Sequence, residues 1–183
     1  MLSQSCQSAG LGDPNASLCV YLGNRPDYQN LLQLQHVQPI LSGDITAIGK
    51  MCGNGWRKIF NVYAKLVFAL PTGLVNKAKS HGNWQTYRDN LLLQRASDTA
   101  LMFSPPRFES ENDSGLHIIM GRTYAKSLYL PTTLEWLDKE FAVDWDKRLI
   151  VCPYFDYRQL SNIKIIRLVE LMERLSQRRI GKI

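Results

Sequence analysis

The chain has 183 residues, 22 Lys plus Arg against 16 Asp plus Glu, 45% hydrophobic and 10% aromatic side chains, and a formal charge of +6. A chain of this size buries roughly 70% of its unfolded surface without a disulfide or metal staple, so a single domain over residues 1–183 is expected. Collagenous, disordered and membrane-spanning classes are excluded, since the longest mostly apolar stretch, Ile59 to Leu70, carries Asn61 and Lys65 and is far short of a ~20-residue span.

Met1 to Gly12 holds no Lys or Arg and no continuous apolar run, unlike a secretory signal, so a cytoplasmic location is expected. Residues 1–16 read as an irregular extension. Leu18 to Leu22 (LCVYL) is a short apolar strand ended by the loop Gly23-Asn24-Arg25-Pro26-Asp27. Asn54 to Leu70 places Trp56, Ile59, Phe60, Tyr63, Leu66, Val67 and Leu70 at helical spacing and stops at Pro71, an amphipathic helix. A second helix is predicted from Trp84 to about Gln94, followed by a strand at Thr99 to Phe103 that ends in Ser104-Pro105-Pro106. Phe108 to Gly115 is polar and acidic, in keeping with a mobile loop. Leu116 to Met120 (LHIIM) is a third strand, turned by Gly121 into a helix from Arg122 to Leu128. Thr132 or Thr133 is read as the cap of a further helix to about Phe141, and Arg148 to Cys152 as a fourth strand closed by Pro153. A last helix runs from about Leu160 to Gln177 behind Ser161 or Asn162.

Apolar, largely unalternating strands joined by helical or long crossovers predict a three-layer α/β/α fold with a four-stranded, mostly parallel sheet. Ligands of such sheets sit beyond the carboxyl ends of the strands, which directs attention to Gly23–Tyr28, Ser104–Phe108, Gly121–Tyr124 and Pro153–Gln159. These loops carry Asn24, Arg25, Tyr28, Ser104, Arg122, Tyr154, Phe155, Tyr157 and Arg158, which combine aromatic faces with anion-binding groups and form the candidate ligand site. Asp27 and Asp156 stand at two strand ends and are the candidate catalytic acid and base, if both face one crevice.

Charge is unevenly spread. Residues 1–146 hold 13 basic and 13 acidic groups, whereas residues 147–183 hold nine basic and three acidic. On the last helix Lys164, Arg167, Arg174 and Arg178 recur at offsets of 3, 7 and 4, a basic stripe suited to a phosphate backbone or to solvent. Cys6, Cys19, Cys52 and Cys152, with His36, His81 and His117, are too scattered for a metal motif, so neither a metal nor a cofactor is expected. Gly-rich phosphate loops, dinucleotide fingerprints and nucleophile elbows are also missing from the sequence.

The order of these segments resembles the uracil-DNA glycosylase superfamily from about Cys19 to Leu175. VYLGNRPDY (Val20 to Tyr28) looks like that family's first loop and GWRKIFNVYAKL (Gly55 to Leu66) its following helix. Trp84 with ALMFS, LHIIMGRTYAKSL (Leu116 to Leu128), and RLIVCPYFDYRQLS (Arg148 to Ser161) with its long helix resemble the later segments. The resemblance implies a glycosylase-like fold and a pocket for a base taken out of its stack. It also places Arg25, Ser104 and Cys152 where the family has a water-activating Asp, a base-reading Asn and an anion-stabilising His, so ordinary uracil excision is not expected. The reading is a divergent relative that binds single-stranded DNA or a nucleotide. An enzyme acting on a base, nucleotide or small molecule through Asp27 or Asp156, and a non-catalytic interaction domain such as a homodimer, stand as alternatives.

Overall fold

The computed structural model describes residues 8–75, 77–108 and 114–178, so Cys6 and the centre of the acidic 108–115 loop lie outside the described residues. In chain order the elements are β1 (Gly10–Gly12), β2 (Leu18–Tyr21), β3 (Val37–Gln38), α1 (Asp44–Met51), α2 (Asn54–Ala69), α3 (Trp84–Asn90), β4 (Thr99–Met102), β5 (Leu116–Met120), α4 (Arg122–Lys126), β6 (Glu135–Trp136), β7 (Ala142–Asp144), β8 (Leu149–Cys152) and α5 (Asn162–Gln177). No helix among the described residues is long and apolar enough to cross a membrane.

The α/β class holds, but among the described residues the sheet is mixed and has eight strands, in the order β3-β1-β4-β2-β5-β8-β7-β6, rather than four. Its centre, β4-β2-β5-β8, is parallel: Leu18 stands opposite both Thr99 and Leu116, and His117 opposite Leu149. The added strands lie outside that centre, β1 antiparallel to β4 and β7 antiparallel to β8, with β3 and β6 at the edges.

Two expectations fail here for local reasons. Residues 1–16 are not wholly irregular, because Gly10–Gly12 pairs with β4. Only a residue without a side chain fits at Gly12, where φ is +127° and a Cβ would lie 2.3 Å from the Thr99 carbonyl oxygen. The helix expected between Thr132 or Thr133 and Phe141 is instead the β6–β7 hairpin. Asp138 closes its turn by accepting from the backbone N–H groups of Glu140 and Phe141 at 2.7 and 2.9 Å, which offers the backbone an alternative to helix. Phe141, Ala142 and Val143 then run fully buried alongside β8.

The layering is also asymmetric. One sheet face, through Val20, Leu101, Ile118 and Ile150, packs with Ile48, Phe60, Leu66, Tyr87, Leu168 and Met172 of α1, α2, α3 and α5 in the main core. The opposite face, through Tyr21, Met102, Ile119 and Val151, is covered by Ala125 of α4 and by loops carrying Phe108, Leu128 and Leu134. Among the described residues the third layer is thus one short helix with loops. On the main side α2 is anchored by Tyr63, whose buried hydroxyl reaches the carbonyls of Leu18 at 3.3 Å and Ala100 at 3.0 Å.

Candidate functional site

The chain leaves β2 for β4 on one side, then crosses to β5 on the other, so the strand order reverses between β2 and β5. At their carboxyl ends two glycines each lie against a tyrosine ring. The Tyr124 ring, carried by α4, lies against Gly23, where a Cβ would come within 3.0 Å. Gly121 has φ +94°, and a Cβ there would touch the Tyr154 ring at 3.4 Å, so a non-glycine residue would be strained and would crowd that ring. The Tyr154 phenol, from the loop after β8, lies near the Asn24 side chain from the loop after β2. Burial first, and the nearby charge of Asp156, push the Tyr154 phenol above its ordinary value against the opposing influence of Asn24; burial does the same to Tyr124. Asn24, Tyr124 and Tyr154 therefore present a neutral hydrogen-bonding edge and two half-buried rings at the switch point.

Asp156 turns the loop after β8. Its Oδ1 accepts from the Arg158 backbone N–H at 3.0 Å, and its Oδ2 accepts from Lys58 Nζ at 2.9 Å and from Arg158 at 3.1 Å. The Arg158 side chain and backbone, followed by Lys58, hold its carboxyl well below the usual carboxylate range. A carboxylate so stabilised is a poor proton acceptor near neutral pH, so its chemistry is that of a fixed anion bracing two cations. Asp27 is exposed, and its backbone carbonyl accepts the Cys52 thiol at 3.3 Å. Among the described residues no hydrogen bond or ion pair couples Asp27 to Asp156, which leaves the acid–base pairing without a geometric link.

The other residues singled out from the sequence are dispersed. Arg25 turns away from the crevice, donating to the carbonyls of Leu32 at 3.2 Å and Leu34 at 2.9 Å with its guanidinium 5.6 Å from the Phe103 ring centre. The Ser104 hydroxyl accepts the backbone N–H of Ala9 at 2.9 Å, tying the start of β1 to the end of β4. Cys152 is fully buried and its thiol is pushed far up by that burial. Tyr28 packs on the main core from the side, while Phe155 is fully buried edge-to-face with Tyr63 at 5.8 Å. Arg122 lies over the Trp136 ring at 5.2 Å and donates to the Lys139 carbonyl, outside the switch point. Tyr157 and Arg158 are exposed beside Asp156.

The α5 stripe meets the β6–β7 hairpin. Lys164 pairs with Glu140 and Arg167 with Asp138, both at 2.5 Å; Arg167 also covers Phe141 at 4.6 Å. Arg174 and Arg178 lie over Trp145 at 5.0 and 4.3 Å. The periodicity is real, but its cations are engaged by the hairpin's own acidic and aromatic groups.

A different basic row was hidden in the helix recognised for its apolar face. On α2, Asn54, Lys58, Asn61 and Lys65 recur at offsets of 4, 3 and 4 on one side, with Arg57 beside them. Together with Arg88 of α3 they border a groove of about 360 Å³ that Tyr157 closes at the strand-end side. The offsets were legible in the sequence; the contribution of Arg88 was not. No group of three or more metal-ligating side chains occurs among the described residues.

Residues 9–173 match a family of unknown function, DUF6942, and the chain belongs to that family. No curated protein and no solved structure matches it.

Proposed function

We propose that this DUF6942 member holds a nucleotide or single-stranded nucleic acid across the carboxyl ends of β2, β5 and β8, as a uracil-DNA glycosylase relative that does not excise uracil. The observation carrying the binding half is the placing of the Tyr124 and Tyr154 rings against Gly23 and Gly121 at the switch point, with the Asn24 side chain near the Tyr154 phenol. A neutral amide, a phenol and the flat rings of Tyr124 and Tyr154 offer the edge and stacking contacts that a base requires, at the place where an open parallel sheet accepts ligands. The parallel centre β4-β2-β5-β8 supports the fold likeness.

The absence of excision rests on the positions that resemble the family's reactive groups. Arg25 is bound to loop carbonyls, the Ser104 hydroxyl caps Ala9, and Cys152 is buried as a neutral thiol. None can activate water or stabilise a departing anion, and losing one preorganised donor costs roughly 100- to 1,000-fold in rate.

The test is fluorescence anisotropy of a labelled single-stranded, uracil-containing oligonucleotide between about 50 and 200 mM salt, followed by alkali treatment. Saturable binding that weakens with salt and leaves the strand intact is expected. Strand breaks after alkali would restore excision, and no binding by the oligonucleotide or by uridine monophosphate would remove the reading.

A further inference from the structure

We propose that the groove along the outer side of α2 is a track for the phosphodiester backbone of single-stranded nucleic acid, leading away from the strand-end crevice. The inference rests on the nucleic-acid reading of that crevice and extends it from a nucleotide-sized ligand to a strand.

The groove is positive over its length. Arg57, Lys58, Lys65 and Arg88 border it, while the carboxylates engaging them are Asp156 on Lys58 and Asp89 on Arg88. Among the described residues Arg57 and Lys65 form no ion pair. α2 adds to the field: it starts at Asn54 with no acidic residue in its first turn and no side-chain cap, so the positive end of its dipole falls beside Arg57 and Lys58.

The cations form a row, with about 12 Å of helix between Arg57 and Lys65. The phosphates of a nucleoside triphosphate need donors converging on one point; a row suits charges that repeat along a chain. One aromatic ring, Tyr157, borders the groove, and a second, Trp84, packs beneath two of its cations. Tyr157 is 58% exposed with Lys58 5.0 Å from its ring centre, and Trp84 lies under Lys65 at 5.1 Å and Arg88 at 5.6 Å. Single-strand binders combine these elements, a basic groove for the backbone and ring faces on which bases stack. The amides of Asn54, at the start of the row, and Asn61, between Lys58 and Lys65, supply uncharged donors.

Lys58 joins the groove to the loop after β8. Lys58 lines the groove and pairs with Asp156, which follows Tyr154 by two positions on the same loop.

The experiment uses the full chain and anisotropy titrations with a labelled single strand of about 16 nucleotides, and competition by uridine monophosphate. Arg57→Gln/Lys65→Gln should bind the strand about tenfold more weakly and lower the slope of log affinity against log salt by about 1.4, with the monophosphate unaffected. Asn24→Ala should weaken both ligands. If the double variant unfolds, each single variant should lower the slope by about 0.7. An unchanged slope, with wild-type binding of both ligands, overturns the groove and leaves the crevice standing. Strand binding no tighter than that of the monophosphate at low salt also overturns it. Failure of both ligands to bind removes the crevice reading and the groove with it.

Discussion

Lys58 and Asp156 lie 98 positions apart in the chain and meet at 2.9 Å, each side chain only 13% exposed. The contact fastens the outer side of α2 to the loop after β8. Its geometry joins an element recognised from apolar periodicity to a loop recognised as a strand end, and the proposed ligand path runs across the junction.

Asp156 makes this junction sensitive to acid. Its folded-state pKa lies well below the ordinary carboxylate value, so its stabilisation is complete above that value and is lost as pH falls through the lower, folded one. Asp156→Asn should lower stability by about 1 kcal/mol at pH 7. In urea titrations the gap from the wild type should stay constant between about pH 7 and 5 and narrow below about pH 4. A gap that widens in acid would contradict the assignment.

Arg167 tests the C-terminal stripe. Its ion pair with Asp138 and its contact with Phe141 make it a brace between α5 and the hairpin. Arg167→Ala should cost about 0.5–1 kcal/mol in denaturant unfolding and leave the salt slope of oligonucleotide binding unchanged. A fall in that slope would return the stripe to the nucleic-acid surface.

Tyr63→Phe deletes the hydroxyl that reaches the Leu18 and Ala100 carbonyls from α2. The carbonyls belong to sheet strands, so the loss should be modest, about 1 kcal/mol, measured as a shift in the urea midpoint with no change in the unfolding slope.

Gly12→Ala should be far more damaging. The new methyl would lie 2.3 Å from the Thr99 carbonyl oxygen on a backbone with φ +127°, so β1 must detach or distort. A loss of more than about 3 kcal/mol is expected, with faster hydrogen exchange at the Phe103 and Ser104 amides that bond to Ala9.

Cys152 is fully buried, and that burial raises its thiol far above the ordinary value. It should resist alkylation in the native protein at about pH 8 and react only after unfolding, as read by peptide mass spectrometry. Native labelling at Cys152 would place it at an accessible site and reopen a nucleophilic role.

The sequence by itself determined the parts whose signal is local and periodic. The helical spacing from Trp56 to Leu70 gives α2, ending where Pro71 removes an N–H donor, and the apolar runs at Leu18, Thr99, Leu116 and Leu149 give the four parallel strands. Glycines follow two of those strands, at the ends where the ligand site is proposed. Only the tertiary structure decided the rest, because the deciding partners are distant in the chain. β1 and β3 are three and two residues long, too short to show a period, and exist through backbone pairing with strands far along the sequence. The stretch after Thr133 turned from helix to hairpin because Asp138 closes a turn and β8 offers an open edge. The same charge chemistry explains the two basic rows. Both have helical offsets, but α5 meets Asp138, Glu140 and Trp145, whereas on α2 Lys58 meets Asp156 while Arg57 and Lys65 border a groove, and no periodicity can tell a cation opposite a carboxylate from one opposite solvent.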